Sequence, residues 1–456
     1  MSCGKAKANG GRGMNDLRTI LWRVLLALAG GISAAEPSKG YEISDDYALS
    51  VNGKTVEVIR VPIPEERLAG KNRHPYSFAP VTVEGEAELT VTSGFFPEKK
   101  RILKATAPKI LVLEPNGRHR SLVIALSKPE ANPPRPDDPK VRYFGPGIHR
   151  EKFVRVGSGE TLYLAPGAWV EGVLLADGDD ITICGSGVIS GACWPWRKGP
   201  KDAKLCLNGH IGHQVVLRGR NITMRDITTF SPFGWATVLS SVTNCVIDNY
   251  KVIAGRCPND DGIDCCGVKD TVIRNSFIHS QDDCIAVKWS AENLAVTNCI
   301  FLTDEANIVR MGYECGDHAK FENVVFRDID VLHLAMAKRT AEKYWCNCCL
   351  LLQASHEAVM RDILFENIRL KNFEDGRDEL FVAKTMHVKS IAGDNGPWTT
   401  PLAGHIDGVT LRNITGPRRF TRADIKLIEK DQGHRIENVK FLQPPSPHLL
   451  PPSGNI

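Results

Sequence analysis

A short pattern recurs along the middle of this chain: alternating apolar residues, then Asn or Asp, then more apolar residues. Copies are Asn221-Ile-Thr-Met-Arg-Asp-Ile, Asn244-Cys-Val-Ile-Asp-Asn-Tyr, Asp270-Thr-Val-Ile-Arg-Asn-Ser, Asn293-Leu-Ala-Val-Thr-Asn-Cys and Asn323-Val-Val-Phe-Arg-Asp-Ile. Later copies begin at Asp362 and Gly408. The closing polar residue falls at Asp226, Asn249, Asn275, Asn298 and Asp328, at intervals of 23, 26, 23 and 30. Period-2 alternation at that spacing predicts a solenoid of stacked strands; helical repeats would place apolar residues at i, i+3 and i+4. The Asn or Asp at each turn is expected to bond backbone groups and to stack on its equivalent in the next coil.

A chain of 456 residues exceeds what one globular core usually supports, and growth along one axis resolves that. Its 40 Gly and 27 Pro suit a turn-rich β protein. Ahead of the repeats, runs such as Tyr47-Ala-Leu-Ser-Val and Ser121-Leu-Val-Ile-Ala-Leu, separated by turn signals such as Asn52-Gly53, read as a β-sandwich or barrel. The expected fold is all-β: a right-handed parallel β-helix (solenoid) preceded by a small β-sandwich domain that covers its first open end. The expected organisation is an export signal over 1–35, with Met14 as an alternative start, the sandwich over 36–131, a Pro-rich linker over 132–140, the β-helix over 141–443 and a Pro-rich tail over 444–456. After Leu350 the repeats become irregular.

The export reading rests on Arg18 and Arg23, the apolar run from Val24, and the small residues Ser33-Ala34-Ala35. The apolar run is too short to span a membrane, so the protein is expected to be secreted or periplasmic. With 57 basic and 53 acidic residues the net charge of +4 leaves no electrostatic footprint for nucleic acid. No nucleic-acid or membrane partner is expected, and the protein reads as a monomer. Among the 14 Cys one or two disulfides are expected, of unreadable connectivity. Cys346, Cys348 and Cys349 lack a matching Cys/His pair for zinc. No metal and no cofactor is expected.

The chemistry concentrates between Cys257 and Lys288. Asp260, Asp261 and Asp264 form one cluster and Asp282 with Asp283 another, and Asp261 lies 22 positions before Asp283. If that interval is one coil, the two clusters emerge side by side, about 4.8 Å apart along the axis. Adjacent carboxylates perturb one another so that one can stay protonated. An acid paired with a base is what glycosidic cleavage needs. Any single Asp here also reads as a turn residue, and clustered carboxylates also suit calcium. Trp194, Trp196, Trp235 and Trp289 are candidate sugar-stacking surfaces, Trp289 foremost because it adjoins the acids.

These residues resemble a known family. Asn259-Asp-Asp-Gly-Ile-Asp264 is similar to the Asn-Thr-Asp-Gly-Ile/Phe-Asp motif of glycoside hydrolase family 28, the polygalacturonases, and Gln281-Asp-Asp-Cys-Ile-Ala-Val-Lys288 is similar to that family's Gly/Gln-Asp-Asp-Cys-Ile-Ala motif. Tyr143-Phe-Gly-Pro-Gly-Ile-His149 and a leading sandwich look more like the related family 49, the dextranases and isopullulanases. The resemblance covers about 141–340. It implies an inverting hydrolase of a polysaccharide. Asp282 would be the general acid, and Asp261 with Asp283 would hold and activate the water. Asp264 would fix a turn. Asn259, Trp289 and Asn307 would meet substrate, and Lys288 and Arg310 would either bind an acidic sugar or stand as surface cations at a coil edge. Two departures leave the sugar unassigned. Asn307 stands where the polygalacturonases carry the His of Gly-His-Gly, and their Arg-Ile-Lys motif has no clear match. The alternatives are a polysaccharide lyase on the same fold, which would pair calcium with an Arg or Lys base, and a non-catalytic glycan-binding protein.

Overall fold

The Asn and Asp of the repeat do in three dimensions what their spacing predicts. In the computed structural model Asn249 Nδ2 donates to Asp226 Oδ1 at 2.7 Å, Asn275 Nδ2 to Asp248 Oδ1 at 2.7 Å, and Asn298 Nδ2 to Asn275 Oδ1 at 2.7 Å. A second ladder runs through Asn244 to Asn221 and through Asn323 to Asn293, each at 2.8 Å. These residues turn the backbone into the left-handed region, with φ of 68° at Asp226 and 48° at Asn249. Asn and Asp tolerate that region better than other non-glycine residues, which is why they mark the corners.

The structure describes residues 40–63, 75–96, 100–115, 120–196, 199–200, 212–254, 258–312, 315, 318–334, 348–354, 357–373, 379–385, 404–429, 433 and 435–443. The export segment 1–35 and the tail 444–456 lie outside them. Between Val141 and Leu442 the described strands form a 21-stranded sheet in chain order, each strand pairing in parallel with its counterpart one coil on. This is a parallel β-helix. One 3-10 turn, Arg422–Asp424, is the helical element among the described residues, and no described helix is long and apolar enough to cross a membrane. The ladder continues past Leu350 through Leu350–Ala354, Phe381–Thr385, Ile425–Glu429 and Arg435–Leu442. The irregular sequence there reflects loops between coils, with the coils themselves intact.

Ahead of it, a five-stranded and a four-stranded sheet enclose Leu49, Val51, Leu89, Val91, Leu122, Ile124 and Leu126. The strand Leu122–Ser127 is buried at every position because it faces two cores. Its alternate residues Val123 and Ala125, with Phe78 and Tyr76, pack on Trp169, Phe230, Ile253, Phe277 and Leu302 of successive coils. The sandwich therefore lies along the flank of the solenoid, where the sequence reading put it over the open end. Tyr76 Oη donates to Ala254 O at 2.6 Å across this seam. Inside the coils Cys245, Cys265, Cys284 and Cys299, and on an outer face of a coil Cys184, are buried free thiols, so the disulfides expected of the sequence do not involve them. In an apolar interior Cys packs as a small hydrophobe.

Coils pack closely at Gly262, beside the acidic cluster. A Cβ there would stand 2.3 Å from Ile278 Cγ2 and 2.5 Å from the Cys284 carbonyl. Gly262→Ala is expected to lower stability by about 1–3 kcal/mol, the usual cost of overpacking a core. A urea midpoint equal to wild type would show that the backbone can yield there.

Candidate active site

Register makes the 22-residue interval one coil. Ile263 lies opposite Ile285 and Asp264 opposite Ala286, and Gly262 N–H donates to the Asp283 carbonyl at 2.8 Å. Asp261 and Asp283 therefore occupy one column. It continues backward through Trp235 to His213 and forward to Asn307 and Cys348. Asp261, Asp282 and Asp283 each offer a carboxylate oxygen within 4.8 Å of the others. Asp261 and Asp283 are buried and Asp282 is half-buried.

Each carboxylate has its own surroundings. Asp283 accepts from the Asn307 backbone N–H at 3.0 Å and from Asn307 Nδ2 at 2.5 Å, and its other oxygen lies 3.2 Å from Arg310 Nε. Asp282 Oδ2 accepts from the Asn259 N–H at 3.2 Å. Burial pushes the Asp282 carboxyl up to about 6, reinforced by Asp283 and opposed by Arg310 and Lys288. Burial likewise holds Asp261 well above the usual carboxylate range, with Asp264 and Asp282 adding to it and Lys288 pulling the other way. Asp261 Oδ1 has no hydrogen-bond partner among the described residues. Lys288 Nζ lies 2.7 Å from Asp264 Oδ1, 3.6 Å from Asp261 Oδ2, and 3.4 Å from the centre of the Trp235 ring.

The residues assigned to substrate separate into groups. Asn307 is wholly buried, and its Oδ1 accepts the Cys348 N–H at 2.8 Å. Both ends of its amide are engaged, so its geometry is that of a residue positioning Asp283, which differs from the substrate contact expected from sequence. Lys288 and Arg310 are buried and directed at the carboxylates. Asn259 adopts a left-handed turn, φ 62°, that aims its N–H at Asp282. Trp289 remains half-exposed. It stands at a corner where Ser241 and Gly267 occupy the equivalent turns of the two preceding coils, and like them takes a positive φ, 66°. A bulky residue rarely accepts that backbone. Trp235 is not an open stacking surface: the His213 ring covers one face at 4.7 Å and 18°, and Lys288 also lies against the indole. Trp196 Nε1 is tied to the Pro258 carbonyl at 2.8 Å.

Two residues at the site carried no role in the sequence reading. Asp260 is wholly buried, and its Oδ1 accepts the N–H groups of Gln281, at 2.6 Å, and Asp282, at 3.3 Å. It sits one coil before Asp282, so the phase argument that paired Asp261 with Asp283 would have found it. His213 is held neutral down to about 3 by burial and by Lys288. Its alignment with Trp235 depends on a register that sequence does not display.

Comparison with known proteins bears on this arrangement. The model of the glycosyl hydrolases family 28 matches residues 167–441, more than half of the chain. A polygalacturonase of Nicotiana tabacum is 26% identical over 200 residues, 42% of this chain and 46% of that protein. The chain thus spans about half the length of this curated relative. Dex49A from Penicillium minioluteum shares the fold, with a TM-score of 0.57 at 12% identity over 88% of this chain and 94% of that one. A family 28 exopolygalacturonase of Yersinia enterocolitica superimposes with a TM-score of 0.41 at 13% identity, over 88% and 94% of the respective chains.

Proposed function

The chain belongs to glycosyl hydrolases family 28, and from that premise we propose that it hydrolyses O-glycosidic bonds of a polysaccharide with inversion, in the manner of a polygalacturonase or a dextranase. Asp282 is the general acid and Asp261 with Asp283 holds the attacking water. The observation that carries this reading is the convergence of three carboxylate oxygens within 4.8 Å, of which the half-exposed one retains its proton up to about pH 6. A group of that acidity can protonate a departing sugar oxygen in mildly acidic solution. Oxygens of Asp261 and Asp283 at this separation can both hydrogen-bond one water at ~2.8 Å each. Asp260 and Asn259 orient the acid, and Asn307 and Arg310 orient Asp283. We also propose that the enzyme is exported, on the strength of residues 1–35, and acts as a monomer.

The oxygen spacing itself favours a second course. Inverting carboxyls usually stand about 6.5–9.5 Å apart and retaining ones about 5–5.5 Å, and the cluster here is at the short end. Two bases sharing one water remove the need for a wide gap, and this is why we keep inversion. The test is proton NMR of the first product released from a panel of pectic polymers and α-glucans. The anomer opposite to that of the cleaved bond is expected. Retention would overturn the assignment of Asp261 and Asp283 to water, and an unsaturated, ultraviolet-absorbing uronate end would turn the reading to a lyase.

The same three oxygens are also spaced to grip a divalent cation. Against that, the cluster already carries its own countercharges in Lys288 and Arg310. Turnover is expected to survive exhaustive chelation.

A further inference from the structure

The cations nearest the carboxylates are spent on them. Lys288 pairs with Asp264 and Asp261, and Arg310 with Asp283, and both are more than nine-tenths buried. Around them stand Asp260, Asp261, Asp264, Asp282, Asp283 and Glu305, the last bonded to the Gln281 amide. His279 is turned to a further acid, Asp304, at 3.1 Å, and His213 is neutral in its stack on Trp235. Even with Asp261 and Asp282 both protonated, the remaining carboxylates outnumber the two cations. Among the described residues the next coil adds none. In the columns of Arg310 and Lys288 it presents Leu351 and Gln353, both uncharged, and Gln353 is wholly buried. Lys384, the next cation of that column, is three coils beyond Lys288, about 14 Å along the axis at ~4.8 Å per coil.

From this distribution among the described residues we propose that the sugar bound at the carboxylate cluster is uncharged, so that the enzyme acts on a neutral glycan and discriminates against a polyuronide. The inference rests on the hydrolase reading for its reaction and on the charge inventory for its substrate class. A uronate placed at the cluster would bring its own carboxylate into a field of like sign, with no cation among the described residues available until one is taken from Asp264, Asp261 or Asp283. Specificity of this kind comes from repulsion of the wrong ligand as much as from attraction of the right one.

The test compares initial rates of reducing-end release by the full-length protein. Its substrates are polygalacturonate, the same polymer with its carboxyls reduced to alcohols, and α-1,3-, α-1,4- and α-1,6-glucans, each at low and high salt. At least one neutral polymer is expected to exceed polygalacturonate in kcat/KM by about 100-fold or more, since like-charge juxtaposition at a binding surface is strongly disfavoured. Any residual rate on polygalacturonate should rise with salt as the repulsion is screened. Polygalacturonate cleaved as well as or better than every neutral polymer, or slowed by salt, would overturn the proposal. Silence on all five polymers would instead sink the hydrolase reading. The charge inference then stands or falls on calorimetry with trigalacturonate and maltotriose: tighter binding of trigalacturonate overturns it, and weaker or absent binding of trigalacturonate upholds it.

Discussion

Asp282→Asn loses hydrolysis and gains stability. The loss should be between about 10²- and 10⁴-fold in kcat, the range that a positioned general acid contributes. The gain follows from the raised pKa of this half-buried group. Its folded-state value of about 6 lies above the ordinary value of 3.8 for a free aspartate, so the folded protein binds the proton more tightly than the unfolded chain. The contribution of Asp282 to stability is therefore complete below about pH 4 and lost as pH rises through 6. At about 1.4 kcal/mol per unit, ionising it in the folded state costs on the order of 3 kcal/mol at neutral pH. Asn keeps the shape without that cost. Thermal midpoints of the two proteins should be furthest apart above pH 6 and should converge below pH 4. Wild-type kcat should fall about tenfold per unit above pH 6. A variant that is active, or that is less stable than wild type at neutral pH, would remove Asp282 from the role of acid.

Lys288→Met produces the opposite stability change. It strips the countercharge from Asp264 and Asp261, which are both buried. Breaking a buried pair from one side costs about 3–5 kcal/mol, because the partner charge is left uncompensated. It also removes the cation–π contact with Trp235. Without Lys288 the Asp261 carboxyl is pushed further up, since that ammonium is what opposes burial and the neighbouring acids. The acidic limb of the pH–rate profile should move to higher pH, with kcat falling and KM little changed. The double variant Asp264→Asn, Lys288→Met should recover much of the lost stability, because one buried charge then disappears with the other, and should recover little of the activity. Urea midpoints and pH–rate profiles of the three variants check this. A KM rise at unchanged kcat would return Lys288 to the substrate.

The two predictions mark how far sequence alone reaches. The corners, the strand alternation and the 22-residue phase between Asp261 and Asp283 are local and periodic, so they could be read off the chain. A parallel β-helix repeats one neighbour relation, and sequence separation there converts directly into distance along the axis. The placement of the sandwich did not follow, because Leu122–Ser127 reads as one apolar run and only packing shows which alternate residues face which core. Asn307 misled for a related reason. Its position matches a substrate-reading residue of the resembling family, while its burial behind Asp283 depends on Cys348, 41 positions later, donating to its amide.

The amino-acid sequence by itself determined the solenoid, its corners and the three carboxylates on neighbouring coils, because each of these is set by periodicity and by residue chemistry within one or two coils. Tertiary structure alone decided which carboxylate keeps a proton and which cations are spent. Those depend on burial and on side chains brought together from Trp235, Asp264, Lys288 and Arg310 by strand register. Register sums the lengths of all the intervening loops, and the repeat pattern does not encode those lengths.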